Sequence, residues 1–185
     1  ATVSFMCRKK EMYYPENRRK CGDIFYHNPG FPEDEYYDSD TLLLTGDDYS
    51  VPSLNLYDYK NSRGHLFVFG GSLRYPGAPL ISSLSAFHAG CGLVSLCSEK
   101  EVLDRVYNSH PSIMGVEKEN IRKVKNNAFL IGPGWNDGDR ELIEYAIESR
   151  KPLVIDADAI KLIERGHDFS SLAVLTPHLG EFRTL

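Results

Sequence analysis

Residues 65–88 read HLFVFGGSLRYPGAPLISSLSAFH. The opening run, His65 to Phe69, lacks the polar alternation of a half-exposed strand and reads as a strand buried on both faces. Gly70-Gly71-Ser72 closes it, and Pro79 to His88 reads as a helix with proline at its first position, where a missing N–H forfeits no hydrogen bond. Strand, glycine loop and helix in succession make one βα unit.

The same alternation continues downstream. Strands are expected at Leu93–Cys97, Ala128–Ile131, Leu153–Ile155 and Ala173–Leu175. Helices are expected at 99–107, at 139–150 with Leu142, Ile143, Ala146 and Ile147 on one face, and at 157–163. Strands that alternate with helices in this way form a mainly parallel sheet covered on both faces, so the fold class is α/β. Upstream the composition changes. Residues 1–32 hold two strand-like runs, Thr2–Phe5 and Asp23–His27, around the polar segment Glu16–Lys20, too little to fold alone. Residues 33–63 are acidic and rich in tyrosine, from Glu33-Asp34-Glu35-Tyr36-Tyr37-Asp38 through Asp47-Asp48-Tyr49, as in a linker laid over a surface. Its tyrosines serve either a partner or plain packing.

Composition narrows the classes of function. A chain of 185 residues with 42 % hydrophobic content suffices for one sizeable core. No apolar run approaches the length of a membrane span, so no membrane partner is expected. No secretory signal pattern opens the chain, and a cytoplasmic protein is expected, although residue 1 is alanine rather than methionine. The net charge of −5 argues against a nucleic-acid partner. The basic clusters Arg8-Lys9-Lys10 and Arg18-Arg19-Lys20 are interrupted by Glu11 and Glu16 and read as solvated surface. Cys7, Cys21, Cys91 and Cys97 show no metal-site spacing, so free thiols and no bound structural metal are expected.

Open parallel sheets bind ligands beyond the carboxyl ends of their strands, and four loops fall there. Gly70-Gly71-Ser72 is either a backbone cradle for a polar or anionic group or a tight βα turn. It carries neither the Gly-Lys-Ser/Thr of a P-loop nor a G-x-G-x-x-G dinucleotide fingerprint. Gly132-Pro133-Gly134-Trp135-Asn136 again allows close backbone approach, with Trp135 stacking on a flat ring or covering the core edge. In Asp156-Ala157-Asp158, either carboxylate can cap the next helix while the other orders a metal, a water or a neighbouring loop. In Thr176-Pro177-His178-Leu179-Gly180-Glu181, the histidine can reach the crevice, and Glu181 suits the first turn of a helix whatever the function.

The ordered series Phe69-Gly70-Gly71-Ser72, Tyr75-x-Gly77-Ala78-Pro79, Gly90-x-Gly92-Leu93-Val94, Gly132-Pro133-Gly134, Asp156-Ala157-Asp158-Ala159-Ile160 and Thr176-Pro177-His178-x-Gly180-Glu181 resembles the ATP/ADP-dependent NAD(P)H-hydrate dehydratases, the YjeF C-terminal family. Residues 1–32, with Thr2-Val3-Ser4-Phe5, Tyr14-Pro15 and Cys21-Gly22-Asp23, resemble the last part of an NAD(P)H-hydrate epimerase domain.

The resemblance implies a ribokinase-like α/β/α sandwich at 64–185, of which this sequence would hold the N-terminal half. It implies a lyase that repairs NADHX or NADPHX with ADP or ATP as phosphoryl donor and Mg2+, and a homo-oligomer is expected. The hydroxyl of the hydrated ring would be phosphorylated and then eliminated, with the anion cradle and catalytic base on a Gly-Gly-x-Gly-Asp segment not found among these residues. By motif match, Ala78, Gly134, Asn136 and His178 would bind the hydrate, and no catalytic residue is assigned. The family's usual Gly-Pro-Gly-Leu-Gly is Gly132-Pro133-Gly134-Trp135-Asn136 here, the Asn that follows its Asp-Ala-Asp motif is Lys161, and Pro-His-Pro-Gly-Glu is Pro177-His178-Leu179-Gly180-Glu181. The Ser/Thr-His-Lys-Gly approach to the first strand is Asp58-Tyr59-Lys60-Asn61. These departures keep two alternatives open: an inactive nucleotide-binding or regulatory module, and a sugar or vitamin kinase of the same fold.

Overall fold

The computed structural model describes residues 1–32, 43–48, 50, 53–164, 166–169 and 172–183. Part of the acidic, tyrosine-rich run 33–63, including Glu33–Asp38 and Tyr49, lies outside these residues. The chain divides into two compact units, Ala1–Val51 and Pro52–Leu185.

In the first unit, β1 (Thr2–Phe5) and β2 (Ile24–His27) pair in parallel. Parallel neighbours need a crossover. Here it is α1 (Pro15–Cys21), so the segment expected only as a polar spacer is a helix. Pro15 sits at its start, Glu16 in its first turn and Arg18, Arg19 and Lys20 in its last, each charge placed favourably on the helix dipole. Both basic clusters are exposed, as expected for solvated surface.

The second unit is a six-stranded parallel sheet. Its elements are β3 (His65–Phe69), α2 (Gly77–His88), β4 (Leu93–Cys97), α3 (Lys100–Ser109), β5 (Met114–Val116), β6 (Ala128–Ile131), α4 (Arg140–Glu148), β7 (Leu153–Ile155), β8 (Ala173–Leu175) and α5 (Leu179–Phe182). The strand order is β5-β4-β3-β6-β7-β8. From β3 the chain winds outward through β4 and β5, then returns to β6 on the other side of β3 and winds away through β7 and β8. The boundary between β3 and β6 is therefore the topological switch point, where an open sheet forms its ligand crevice.

Side chains alternate across the pleat and build one core on each face. Phe67, Phe69, Phe129, Ile131 and Ile155 point to the face covered by α4, whose Leu142, Ile143, Ala146 and Ile147 are all buried, as the sequence spacing predicts. The Phe129 and Tyr145 rings meet edge to face at 5.8 Å, one of several aromatic contacts that fill this layer. Val68, Val94 and Leu96 point to the other face, against Val102 and Val106 of α3 and partly buried residues of α2. The result is an α/β/α sandwich. At about 1.5–3 kcal/mol for each large apolar side chain taken fully out of water, these two layers dominate the fold's stability.

Three expectations need correction. Pro79 is the third residue of α2, not the first; its lack of an N–H still forfeits nothing, because the first four amides of a helix have no partner within it. Residues Ala157–Leu162 form a 3-10 helix, not an α-helix. The short edge strand β5 and the 3-10 helix Lys118–Lys123 were not expected at all.

Candidate functional site

Backbone hydrogen bonds carry the sheet one step past its strand ends and set the four loops side by side. Gly70 N donates to Cys97 O, Gly132 N to Phe69 O, Asp156 N to Ile131 O and Thr176 N to Ile155 O. Across the switch point, Gly71 N donates to Pro133 O at 2.9 Å, and the buried Ser72 Oγ donates to Gly134 O at 2.9 Å. The loops after β3 and β6 are thus held as one layer.

Two glycines are required by this closeness. Gly132 has φ +113°, and a Cβ there would overlap the carbonyl of Asp156. Gly134 has φ +66°, and its Cβ would lie 2.6 Å from Tyr75 O and 2.9 Å from Ala78 Cβ. A side chain at either position would meet both backbone strain and a neighbour. Ala78 and Gly134, two of the four expected ligand residues, are therefore in direct contact. Trp135 packs against the α4-side core, which favours the covering role over stacking on a ligand.

Neither carboxylate of Asp156-Ala157-Asp158 caps the following 3-10 helix. Asp156 Oδ1 accepts from Thr176 Oγ1 at 2.7 Å, tying β7's loop to β8's. Asp158 ties β7's loop to β6's, since its Oδ2 accepts from Asn136 N at 2.9 Å. Its Oδ1 pairs with Lys161 Nζ at 2.7 Å. This pair raises the Lys161 pKa, through the hydrogen bond first and the charge of Asp158 second. Of the two roles open in the sequence, ordering neighbouring loops is the one adopted, and both residues take it.

His178 is the N-cap of α5. Its Nδ1 accepts from Gly180 N at 3.0 Å and Glu181 N at 3.3 Å, while Glu181 Oε2 accepts from His178 N at 2.9 Å, completing a capping box. A nitrogen that accepts from two amides carries no proton. The neutral ring therefore bears its hydrogen on Nε2, which lies 3.3 Å from Glu181 Oε1. His178, Gly180 and Glu181, together with Lys161, border an open cavity of about 920 Å³. Ala78, Gly134 and Asn136 are not among the described residues that line it. The four expected ligand residues thus form a chain and not one wall: Ala78 touches Gly134, Asn136 reaches Lys161 through Asp158, and Lys161 shares the cavity with His178.

Among the described residues no helix is long and apolar enough to cross a membrane, and no group of three or more His, Cys, Asp or Glu side chains could hold a metal ion. The four cysteines are free.

Comparison with known proteins gives a consistent result. The profile of the NAD(P)H-hydrate dehydratase family matches residues 66–185. A bifunctional NAD(P)H-hydrate repair enzyme of Hyperthermus butylicus is 33 % identical over 158 residues, covering 74 % of this chain and 29 % of its own length. Among solved structures, a ribokinase-like superfamily protein of Enterococcus faecalis superposes with a TM-score of 0.63 at 23 % identity, over 72 % of this chain and 52 % of that one. The ADP/ATP-dependent NAD(P)H-hydrate dehydratase of Bacillus subtilis, co-crystallised with ATP/Mg2+, gives 0.62 at 22 % identity, over 71 % of this chain and 50 % of that one. The chain thus spans less than a third of the Hyperthermus relative and about half of each solved chain, and the fold in common is the ribokinase-like α/β sandwich.

Proposed function

The chain belongs to the NAD(P)H-hydrate dehydratase family, and from that premise we propose that it supplies the hydrate-binding part of a lyase that restores NADHX or NADPHX to the reduced cofactor with ADP or ATP. The observation that carries this reading is the close approach of Ala78 and Gly134 at the β3/β6 switch point, the place where open parallel sheets bind their ligands. Ala78, Gly134 and Asn136 contact the hydrated nicotinamide, and the His178 ring, its Nε2 steadied 3.3 Å from Glu181 Oε1, borders the cavity beside Lys161. Their task is positioning. A phosphoryl transfer to a ring hydroxyl followed by elimination depends on holding that hydroxyl in line with the donor and away from water.

No residue of this chain is assigned as the base. Mg2+ enters the proposal as the ion carried on the nucleotide's phosphates, which needs only one or two protein carboxylates. Residues 1–32 are proposed as epimerase-like and 33–63 as the connection to the dehydratase part. The same reading carries a cytoplasmic homo-oligomer, to be checked by fractionation and light scattering.

The test is calorimetric titration of NADH hydrate into the protein, alongside recovery of dihydronicotinamide absorbance when ADP or ATP is added. Binding of the hydrate in preference to NADH supports the proposal. Absence of hydrate binding overturns it, and binding without turnover in the full-length protein favours the inactive module.

A further inference from the structure

Asp158 sits where two strained backbone positions converge. Among the described residues four non-glycine positions have a left-handed φ, and two of them flank this carboxylate: Asn136 at +65°, whose amide it accepts, and Ala157 at +48°, its own predecessor. Such conformations persist only where the surroundings hold them. For Asn136 the holding group is Asp158 Oδ2, and the opposite oxygen is occupied by Lys161. Asp158 is mostly shielded from solvent, with 20 % of its side chain exposed against 59 % for Lys161. A shielded carboxylate with both oxygens engaged holds its partners more firmly than an exposed one.

We propose that Asp158 is a positioning residue for the hydrate, fixing the loop Gly132–Asn136 in its left-handed form, with Lys161 holding the carboxylate in place and connecting the loop to the cavity at His178. The inference rests on the hydrate-binding reading of Ala78, Gly134 and Asn136. Its physical content is a division of labour on one carboxylate. Oδ2 sets the backbone at Asn136, two residues from the Gly134 that packs on Ala78. Oδ1 holds an ammonium that borders the cavity at His178. Asparagine enters the left-handed region at a smaller cost than other side-chain-bearing residues but at a greater one than glycine, so the restraint from Asp158 matters more at Asn136 than it would at a glycine.

The dependence is measurable. NADH hydrate is titrated into the wild-type protein, Asp158→Asn, Lys161→Met, Asn136→Gly and the Asn136→Gly/Asp158→Asn double variant, and amide exchange is followed at Asn136 and across β3 and β6. Asp158→Asn is expected to weaken hydrate binding at least tenfold and to speed exchange at Asn136 while β3 and β6 keep their protection. Lys161→Met, which leaves the carboxylate in place, weakens binding less. In the Asn136→Gly background the effect of Asp158→Asn shrinks to threefold or less, the non-additivity expected of coupled residues.

If wild type binds and Asp158→Asn binds equally well, the positioning role is overturned. It is equally overturned if affinity falls only together with protection across β3 and β6, which marks a general structural role. If the wild-type protein itself fails to bind NADH hydrate, the functional reading has failed and this role fails with it, an outcome distinct from the other two.

Discussion

Replacing Gly134 by alanine tests whether the loops after β3 and β6 are closed by contact rather than left open as a cradle. At φ +66° an L-residue costs about 1–2 kcal/mol relative to glycine. The new Cβ would also fall 2.6 Å from Tyr75 O, 2.9 Å from Ala78 Cβ and 3.0 Å from Tyr75 Cβ, and none of these atoms ends a flexible side chain. Overpacking of this kind adds about 1–3 kcal/mol. The total, about 2–5 kcal/mol, corresponds at about 2–4 °C per kcal/mol to a fall of about 4–20 °C in the midpoint of a chain this size. Circular dichroism against temperature reads it directly. Adding Ala78→Gly removes one of the clashing atoms but neither of the Tyr75 atoms nor the φ penalty, so the double variant regains only part of the loss. A Gly134→Ala protein that melts within about 2 °C of wild type would refute the reasoning, because no combination of these terms is that small.

Three further outcomes are expected. Burial first, and the charge of Lys151 second, lower the His65 pKa, although its contact with Lys125 O opposes the shift; the ring also meets Ser95 Oγ at 2.9 Å. The unfolded chain then binds this proton more readily, so the stability contribution is complete above about pH 6.5 and is lost as pH falls through the lowered folded-state pKa. Melting midpoints between about pH 5 and 8 should show this slope, flattened in His65→Gln. The Cys97 thiol is pushed up to about 12, by burial and then by the charges of Asp139 and Glu119; mass spectrometry after iodoacetamide treatment at mildly alkaline pH should find the half-buried Cys7, Cys21 and Cys91 alkylated before it. Ser83 Oγ is fully buried with no hydrogen-bond partner among the described residues, so Ser83→Ala should raise thermal stability by about 1 kcal/mol, and a midpoint below wild type would count against that account.

The sequence made the sheet legible because its central strands are buried on both faces and even the more exposed β8 keeps an apolar run. The five expected from His65 onward, β3, β4, β6, β7 and β8, appear with the residues read from their apolar runs. The helix α4 was equally plain, its apolar residues recurring at helical spacing on a sharply polar background. What escaped has physical reasons. Met114-Gly115-Val116 is three residues long, contains a glycine and lies at the sheet's edge, so it needs no sustained apolar run. Pro15–Cys21 has no buried residue, and without an apolar face its periodicity carries no signal. The 3-10 helix Ala157–Leu162 accompanies tertiary bonds that no local pattern announces, Asp156 and Asp158 being divided between two neighbouring loops.

The site was legible as a set of loops but not as a set of contacts. One part could have been read further: His178 with Glu181 three residues later has the spacing of a capping box, here with histidine in place of the usual serine or threonine. The bridge from Asn136 through Asp158 to Lys161 spans 25 residues between its ends and has no signature along the chain. The glycines also changed meaning. In the sequence, Gly132 and Gly134 invite a ligand to approach bare backbone; in the fold, Asp156 and Tyr75 already make that approach. Their absent side chains let the loops interlock, so under the proposed reading the groups offered to the hydrate are those the interlocking positions, with Ala78, the part-exposed Gly134 and Asn136 at one end and the Lys161–His178 cavity at the other. A substitution that loosens the interlock should therefore act on ligand binding from a distance, without removing any atom that touches the ligand.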